Sequence, residues 1–282
     1  MKLAYYKAPH GNFGDDLNVW LWPRLFPEIF DEDDETLFIG IGTILGKSIA
    51  ANATRRIVFG SGVRRPATAP VLDASWDVRF VRGPISAEAL GLDRSAAISD
   101  GAICLGLLPW PAVQKKHKIG FIPHYHLITD YPAIRTLDPS IYVIDPRGSV
   151  DEVIAAIQSC ETLVTESLHG AILADLFRVP WARVSLYSWQ TESPDVSSLK
   201  WLDWGLSLGV DSFPAESLRV PYYRHRLARL RRMFYATGRI NSLIEALHRS
   251  GRFCLSQNAV LQRSLDQASV AVAAFRRDYP ER

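Results

Sequence analysis

Short apolar runs recur along most of this chain and alternate with amphipathic stretches, and that alternation sets the tightest limit on its fold. The runs are Lys2 to Lys7, Thr36 to Gly42, Arg56 to Gly60, Val78 to Val81, Lys118 to Ile122, Ile141 to Ile144, Thr162 to Thr165 and Ala182 to Leu186. Continuous apolar runs between helices imply strands covered on both faces, as in a parallel sheet. Asp151 to Ser159 and Leu168 to Phe177 are amphipathic stretches that supply such a cover. The chain therefore reads as α/β. The stretch Leu107 to Lys118, with its two prolines, marks the break between an N-terminal α/β domain over 1–112 and a second over 113–220.

After Pro221 the character changes to long helices. Nine arginines fall between Arg219 and Arg252 against a single acid, Glu245, while Leu227, Leu230, Ile240, Ile244 and Leu247 keep near-helical spacing. Two readings of this basic segment, 221–282, stay open. One is a solvated helix that packs its apolar stripe on the two domains. The other is peripheral attachment of the Arg224–Arg232 region to an anionic membrane that presents a lipid-linked acceptor. No nucleic-acid module accompanies the arginines, and the formal net charge of the whole chain is only +2, so nucleic acid is not an expected partner.

With 282 residues, 48% of them hydrophobic, the chain can bury one large core or two ordinary ones. Its three cysteines, Cys104, Cys160 and Cys254, form no C-x-x-C pair, which argues against a disulfide framework and a cysteine zinc site. The opening "MKLAYYKAPHGN" has no signal-like apolar run, and no segment approaches the ~18 apolar residues of a membrane span, so a cytoplasmic protein is expected.

In such sheets ligands sit beyond the carboxyl ends of the strands, so the loops there carry the candidate chemistry. In "GNFGDDLN", Asp15 and Asp16 open a helix after the first strand; either is a cap favoured by the helix dipole or a base facing a substrate hydroxyl. Asn12 and Gly14 of that turn count with them as substrate contacts. "FIGIGTILGKS" and "VFGSGVRR" are glycine turns without the spacing of a dinucleotide fingerprint or a P-loop, yet the amides around Ser61 and Gly62 can form an anion or hydroxyl site. Arg82 follows a strand in "VRGP", where its planar fork suits a carboxylate or phosphate or a surface ion pair. Asp100 occupies a similar turn in "ISDGA". His124 and His126 follow the strand in "GFIPHYHL", and Ser167, Leu168 and His169 form a strand-to-helix junction fit to cradle a phosphate or to serve as an ordinary cap. No third ligand accompanies the two spaced histidines, so no metal site is expected, and no G-x-S-x-G elbow is present.

Taken in order, "GNFGDDLN", "FGSGV", "VRGP", "SDGA", "GFIPHYH", "TESLHGAILADLFRVPW" and "KWLDW" resemble the polysaccharide pyruvyltransferase family over about residues 1 to 205. That resemblance implies two Rossmann-like domains in a GT-B-like arrangement, phosphoenolpyruvate as donor and a sugar diol of a bacterial exopolysaccharide precursor as acceptor. It also implies that Arg82 and His169 help hold or activate the donor. Many members carry an arginine where this chain has Ser167, so one anion contact must come from elsewhere; Arg82, His124 and His126 are the candidates.

The reactants define what the site must supply. Phosphoenolpyruvate brings a carboxylate and a phosphate, so two cationic or N–H-rich subsites are needed. An acid must protonate its methylene carbon while a base takes a proton from the attacking hydroxyl. His169 is the expected acid or phosphate ligand, and Asp15 or Asp16 the expected base. No cofactor is required. Two rivals stay open, because fold does not fix function: a GT-B glycosyltransferase using a sugar nucleotide, and a noncatalytic glycan-assembly protein on the same scaffold.

Overall fold

Parallel strands with apolar side chains on both faces are stable only when helices cover them, and the chain is arranged to meet that need twice. The computed structural model describes residues 1–46, 53–130, 132–187, 192–210, 215–218 and 226–280, and only the backbone of 226–235. Lys47 and Ser48 of the second glycine turn lie outside the described residues, as do Arg219 and Arg224 of the basic segment.

The first sheet consists of β1 (Lys2–Ala4), β2 (Thr36–Ile39), β3 (Arg55–Phe59) and β4 (Trp76–Phe80), paired in parallel and in sequence order. The second consists of β5 (His117–Ile122), β6 (Ile141–Val143), β7 (Cys160–Thr165), β8 (Trp181–Ser185) and β9 (Ala215–Ser217), in the order β6-β5-β7-β8-β9, also parallel. All eight apolar runs thus become strands. The expected run Lys2 to Lys7 shortens to Lys2–Ala4 because the chain then leaves the sheet toward the turn at Gly11, which has φ of +78°. The ninth strand has no apolar run to announce it: Ala-Glu-Ser is a short edge held by backbone pairing to β8.

Helix α1 (Phe13–Leu25) and helices α4 (Val150–Gln158) and α5 (Leu168–Leu176) contribute to one apolar cluster, together with Phe38 and Phe59 of the first sheet and Leu163 and Trp181 of the second. The two sheets therefore share a continuous core. Ser149 opens α4 with a reciprocal cap, its side chain and that of Glu152 each meeting the other's backbone N–H.

The last two helices go to different sheets. In α7 (Arg226–Ser250), Ile240, Ile244 and Leu247 pack with Ile119 and Phe121 of β5. In α8 (Asn258–Asp278), Phe275 is fully buried and meets the rings of Phe26, Phe38 and Phe59 at 4.6, 5.7 and 5.3 Å. Arg79 of β4 pins the end of α8 through Asp278 at 2.6 Å. No helix among the described residues is long and apolar enough to cross a membrane.

Because Phe275 fills the centre of an aromatic cluster, Phe275→Ala is expected to destabilise the fold by about 3–5 kcal/mol. Urea unfolding followed by tryptophan fluorescence checks this; an unchanged midpoint would show that α8 is not part of the first sheet's core.

Candidate active site

The loops that follow the strands of both sheets line one cleft of 390 Å³. On the second sheet the strand order reverses at β5, with β6 on one side and β7 on the other, and the ends of these two outer connections open a crevice. His124 follows β5 and Ser167 follows β7, so both lie at that reversal.

At the start of α1, the Asn12 side chain donates to Asp15 at 2.7 Å while its backbone N–H donates to Asp16 at 3.3 Å. The two acids therefore separate. Asp15 lines the cleft, whereas Asp16 does not and closes the helix end. Burial raises the Asp15 pKa to about 6; the Asn12 hydrogen bond opposes that, the Asp16 charge adds to it, and Lys200 opposes it. Gly14 is buried against His169: a Cβ there would lie 2.2 Å from Nδ1. The glycine makes room for the imidazole and is not itself on the cleft.

His169 stands in the first turn of α5, with Nε2 3.8 Å from Oδ1 of Asp100, too long for a hydrogen bond and an ion pair only when the ring is protonated. Burial first, then Lys200 and Arg82, depress its pKa to about 3, so the ring is neutral at pH 7. Asp100 is fully buried, and its Oδ1 accepts from the backbone N–H of Ala102 at 3.0 Å, opening the 3₁₀ helix Gly101–Leu107. Burial raises its pKa to about 6 against the pull of Arg82.

Arg82 has 0% exposure. Its Nε donates to Asp203 at 3.1 Å and its Nη1 to Thr43 at 2.6 Å. Asp203 also accepts from the backbone N–H groups of Ile85 and Ser86, at 2.9 and 3.0 Å, and from the Ser86 hydroxyl at 2.6 Å. It thereby caps α2 (Pro84–Ala89) from the distant helix α6 (Pro194–Ser207). Gly83 permits that approach, since a Cβ would fall 1.9 Å from the Asp203 carbonyl oxygen. Ser61 and Gly62, read as an anion or hydroxyl site, do not line the cleft. Ser61 donates to the Gly42 carbonyl at 3.0 Å, and Gly62 leaves space for the guanidinium, whose Cζ is 2.2 Å from where its Cβ would be.

His124 and His126 border the cleft with ring centroids 5.4 Å apart, at the start of α3 (Tyr125–Asp130). Burial depresses His124 to about 3 and also lowers His126. Their main value at neutral pH is hydrogen bonding, not charge. Glu166 lies among them, but its oxygens accept the backbone N–H groups of His124, Leu186 and Tyr187, which ties together the loops after β5 and β8. Ser167 and Leu168 also border the cleft; the Ser167 hydroxyl makes no cap to α5. Among the described residues no three His, Cys, Asp or Glu side chains converge as a metal site requires.

Further permanent positive charge comes from two residues that sequence reasoning passed over. Lys200 and Arg64 line the cleft beside Arg82, and Lys200 pairs with Glu192 at 2.6 Å. Lys200 and Asp203 lie three apart on α6, and that charged pair inside "KWLDW" was the available signal. The enclosed side-chain atoms without a partner are concentrated here. Arg82 Nη2, Asp100 Oδ2 and His169 Nε2, all on residues that line the cleft, account for three of six among the described residues. Each such atom costs on the order of 1–3 kcal/mol, so a cluster beside a cleft marks where a ligand or water belongs.

A family model described as "Polysaccharide pyruvyl transferase" matches residues 12–186. The chain belongs to that family. It is also 41% identical to the succinoglycan biosynthesis protein ExoV of Rhizobium meliloti (strain 1021) over 229 residues, which cover 78% of this chain and 68% of the relative. The chain is thus a pyruvyltransferase enzyme acting in polysaccharide synthesis. No solved structure matches it.

Burial of the ionised Asp100 carboxyl has a thermodynamic sign. Its folded pKa is raised, so stability falls as pH rises from the ordinary carboxyl range through about 6, and the cost persists above. Asn keeps the acceptor for Ala102 and cannot ionise. Asp100→Asn is therefore expected to melt several degrees above the unsubstituted protein at pH 8 and level with it at pH 4. Calorimetry at both pH values checks this; an equal difference at the two would show that the charge is not what destabilises.

Proposed function

We propose that the enzyme transfers pyruvate from phosphoenolpyruvate to two hydroxyls of one sugar in an exopolysaccharide precursor, closing a cyclic ketal and releasing phosphate. The observation that carries this reading is the group of atoms without hydrogen-bond partners on Arg82, Asp100 and His169 in a cleft that Lys200 and Arg64 also line. A trianionic donor needs such a site. Arg82, locked by Asp203, suits one anionic end as a planar donor; Lys200 and Arg64 suit the other, and Lys200 takes the part of the arginine that other members carry at the Ser167 position. The two sheets meeting through their carboxyl-end loops are read as a GT-B-like arrangement.

The chemistry then runs in two steps. Asp15, titrating near neutrality, removes the proton of the first sugar hydroxyl as its oxygen bonds to C2 of the donor. His169 delivers a proton to C3, so the enol double bond is consumed. A neutral imidazole cannot do this in the empty cleft. The bound donor's negative charge shifts the ring toward its protonated form, opposing burial and the nearby cations, and Asp100 supports the same shift. In the second step the other hydroxyl attacks C2, the bond from C2 to the bridging phosphate oxygen breaks, and phosphate departs with that oxygen toward Lys200, taking up the hydroxyl proton.

Purified enzyme incubated with phosphoenolpyruvate and a glycan acceptor is expected to release phosphate and leave a ketal mass increment on the glycan. His169→Ala is expected to lower kcat by about 10²–10⁴-fold. Lys200→Ala is expected to act chiefly on the KM for phosphoenolpyruvate, raising it about tenfold. Stabilisation by a sugar nucleotide, with none by phosphoenolpyruvate, would instead assign the cleft to glycosyl transfer.

A further inference from the structure

Resting on the pyruvyl-transfer reading for what enters the cleft, we propose that a groove along the free edge of β1 binds the acceptor as an extended oligosaccharide. The cleft of 390 Å³ is near the lower end of small-ligand pockets, about 300–1,000 Å³. Such a space accommodates the donor and one sugar. The rest of a polymeric acceptor must leave it, and one surface is continuous with it.

That surface is a groove of 1190 Å³, bordered by β1 and the residues that follow it, by the outward flank of α1 and by the loops after β2 and β3. Tyr6, Thr43, Ile44 and Arg64 border both the groove and the cleft. Tyr6 forms the sill between them. It borders the cleft together with Tyr125, yet the residue is 53% exposed. β1 pairs with β2 alone, so its outer edge is open to the groove among the described residues.

The lining has the chemistry of a sugar surface. A pyranose presents an apolar C–H face and a rim of hydroxyls, which asks for aromatic or aliphatic walls flanked by mixed polar groups. Tyr5, Tyr6 and Phe30 supply rings, and Val19 supplies an exposed aliphatic wall. Four cations, Lys2, Lys7, Arg64 and Arg65, are nearly matched by three acids in the loop 31–34. A near-balanced charge suits hydroxyl rims and gives no field that would favour a polyanion. A second copy of the chain pairing on the β1 edge is the competing occupant, and three residues offer it a short ladder.

Mild-acid-treated succinoglycan fragments of one and two repeats, beside a methyl hexopyranoside, serve as probes. Calorimetry without donor is expected to show affinity rising with chain length. Val19→Trp, which fills the groove, is expected to lower the ratio of kcat/KM for the long fragment over the short glycoside about tenfold, and Lys7→Ala about threefold. Melting curves of both variants establish that they fold. Affinity that is independent of length and indifferent to both substitutions would overturn the proposal, as would a dimer in light scattering that Val19→Trp dissociates. Failure of the reaction itself reads differently: no phosphate is released with any acceptor, while the length-dependent binding and its loss in Val19→Trp persist.

Discussion

Asp203 and Arg82 form a fully buried ion pair, and the geometry of the cleft depends on it. Burying two charges is unfavourable unless their remaining valences are satisfied. Asp203 meets that condition with three further donors from the start of α2, and Arg82 meets it in part through Thr43. The guanidinium is thus fixed before any ligand arrives. Its one unpartnered nitrogen lies beside the cleft, where binding can satisfy it without first ordering a long side chain. The same pair joins α6 to the loop after β4, so a residue from the second half of the chain sets the position of a guanidinium in the first.

Around that fixed charge, burial displaces the other titratable groups from their ordinary pKa values. His124 and His169 are held neutral, and Asp15 and Asp100 are raised into the range where a carboxyl exchanges protons readily. Arg64, Arg82 and Lys200 line the same cleft as these displaced groups. The arrangement is unfavourable where enclosed polar atoms lack hydrogen-bond partners. Strained electrostatics of this kind mark sites that selection keeps for function and not for stability.

Much of the fold was legible because its signals are local. Eight apolar runs gave eight strands, Asp151 to Ser159 gave α4 to within a residue, and the motif order gave the family. β9 escaped because its residues, Ala-Glu-Ser, carry no apolar run and are held by backbone pairing to β8. The site was half legible. Strand-end loops bring Asp15, Arg82, His124, His126, Ser167, Leu168 and His169 together, as the α/β pattern requires. Asp16, Gly14, Ser61 and Gly62 sit behind them, because one of two adjacent helix-start acids must face away and because small residues near a cleft can serve to seat larger ones.

The sequence by itself determined the two parallel sheets, the strand-end loops that line the cleft and the identity of the family, since apolar periodicity and short-range motifs are properties of neighbouring residues. Only the tertiary structure decided which acid faces the cleft, that Lys200 and Arg64 join Arg82 there, and that His124 and His169 are neutral at pH 7. Those outcomes depend on burial and on contacts between residues more than a hundred positions apart, such as Arg82 with Asp203, and no local pattern encodes either.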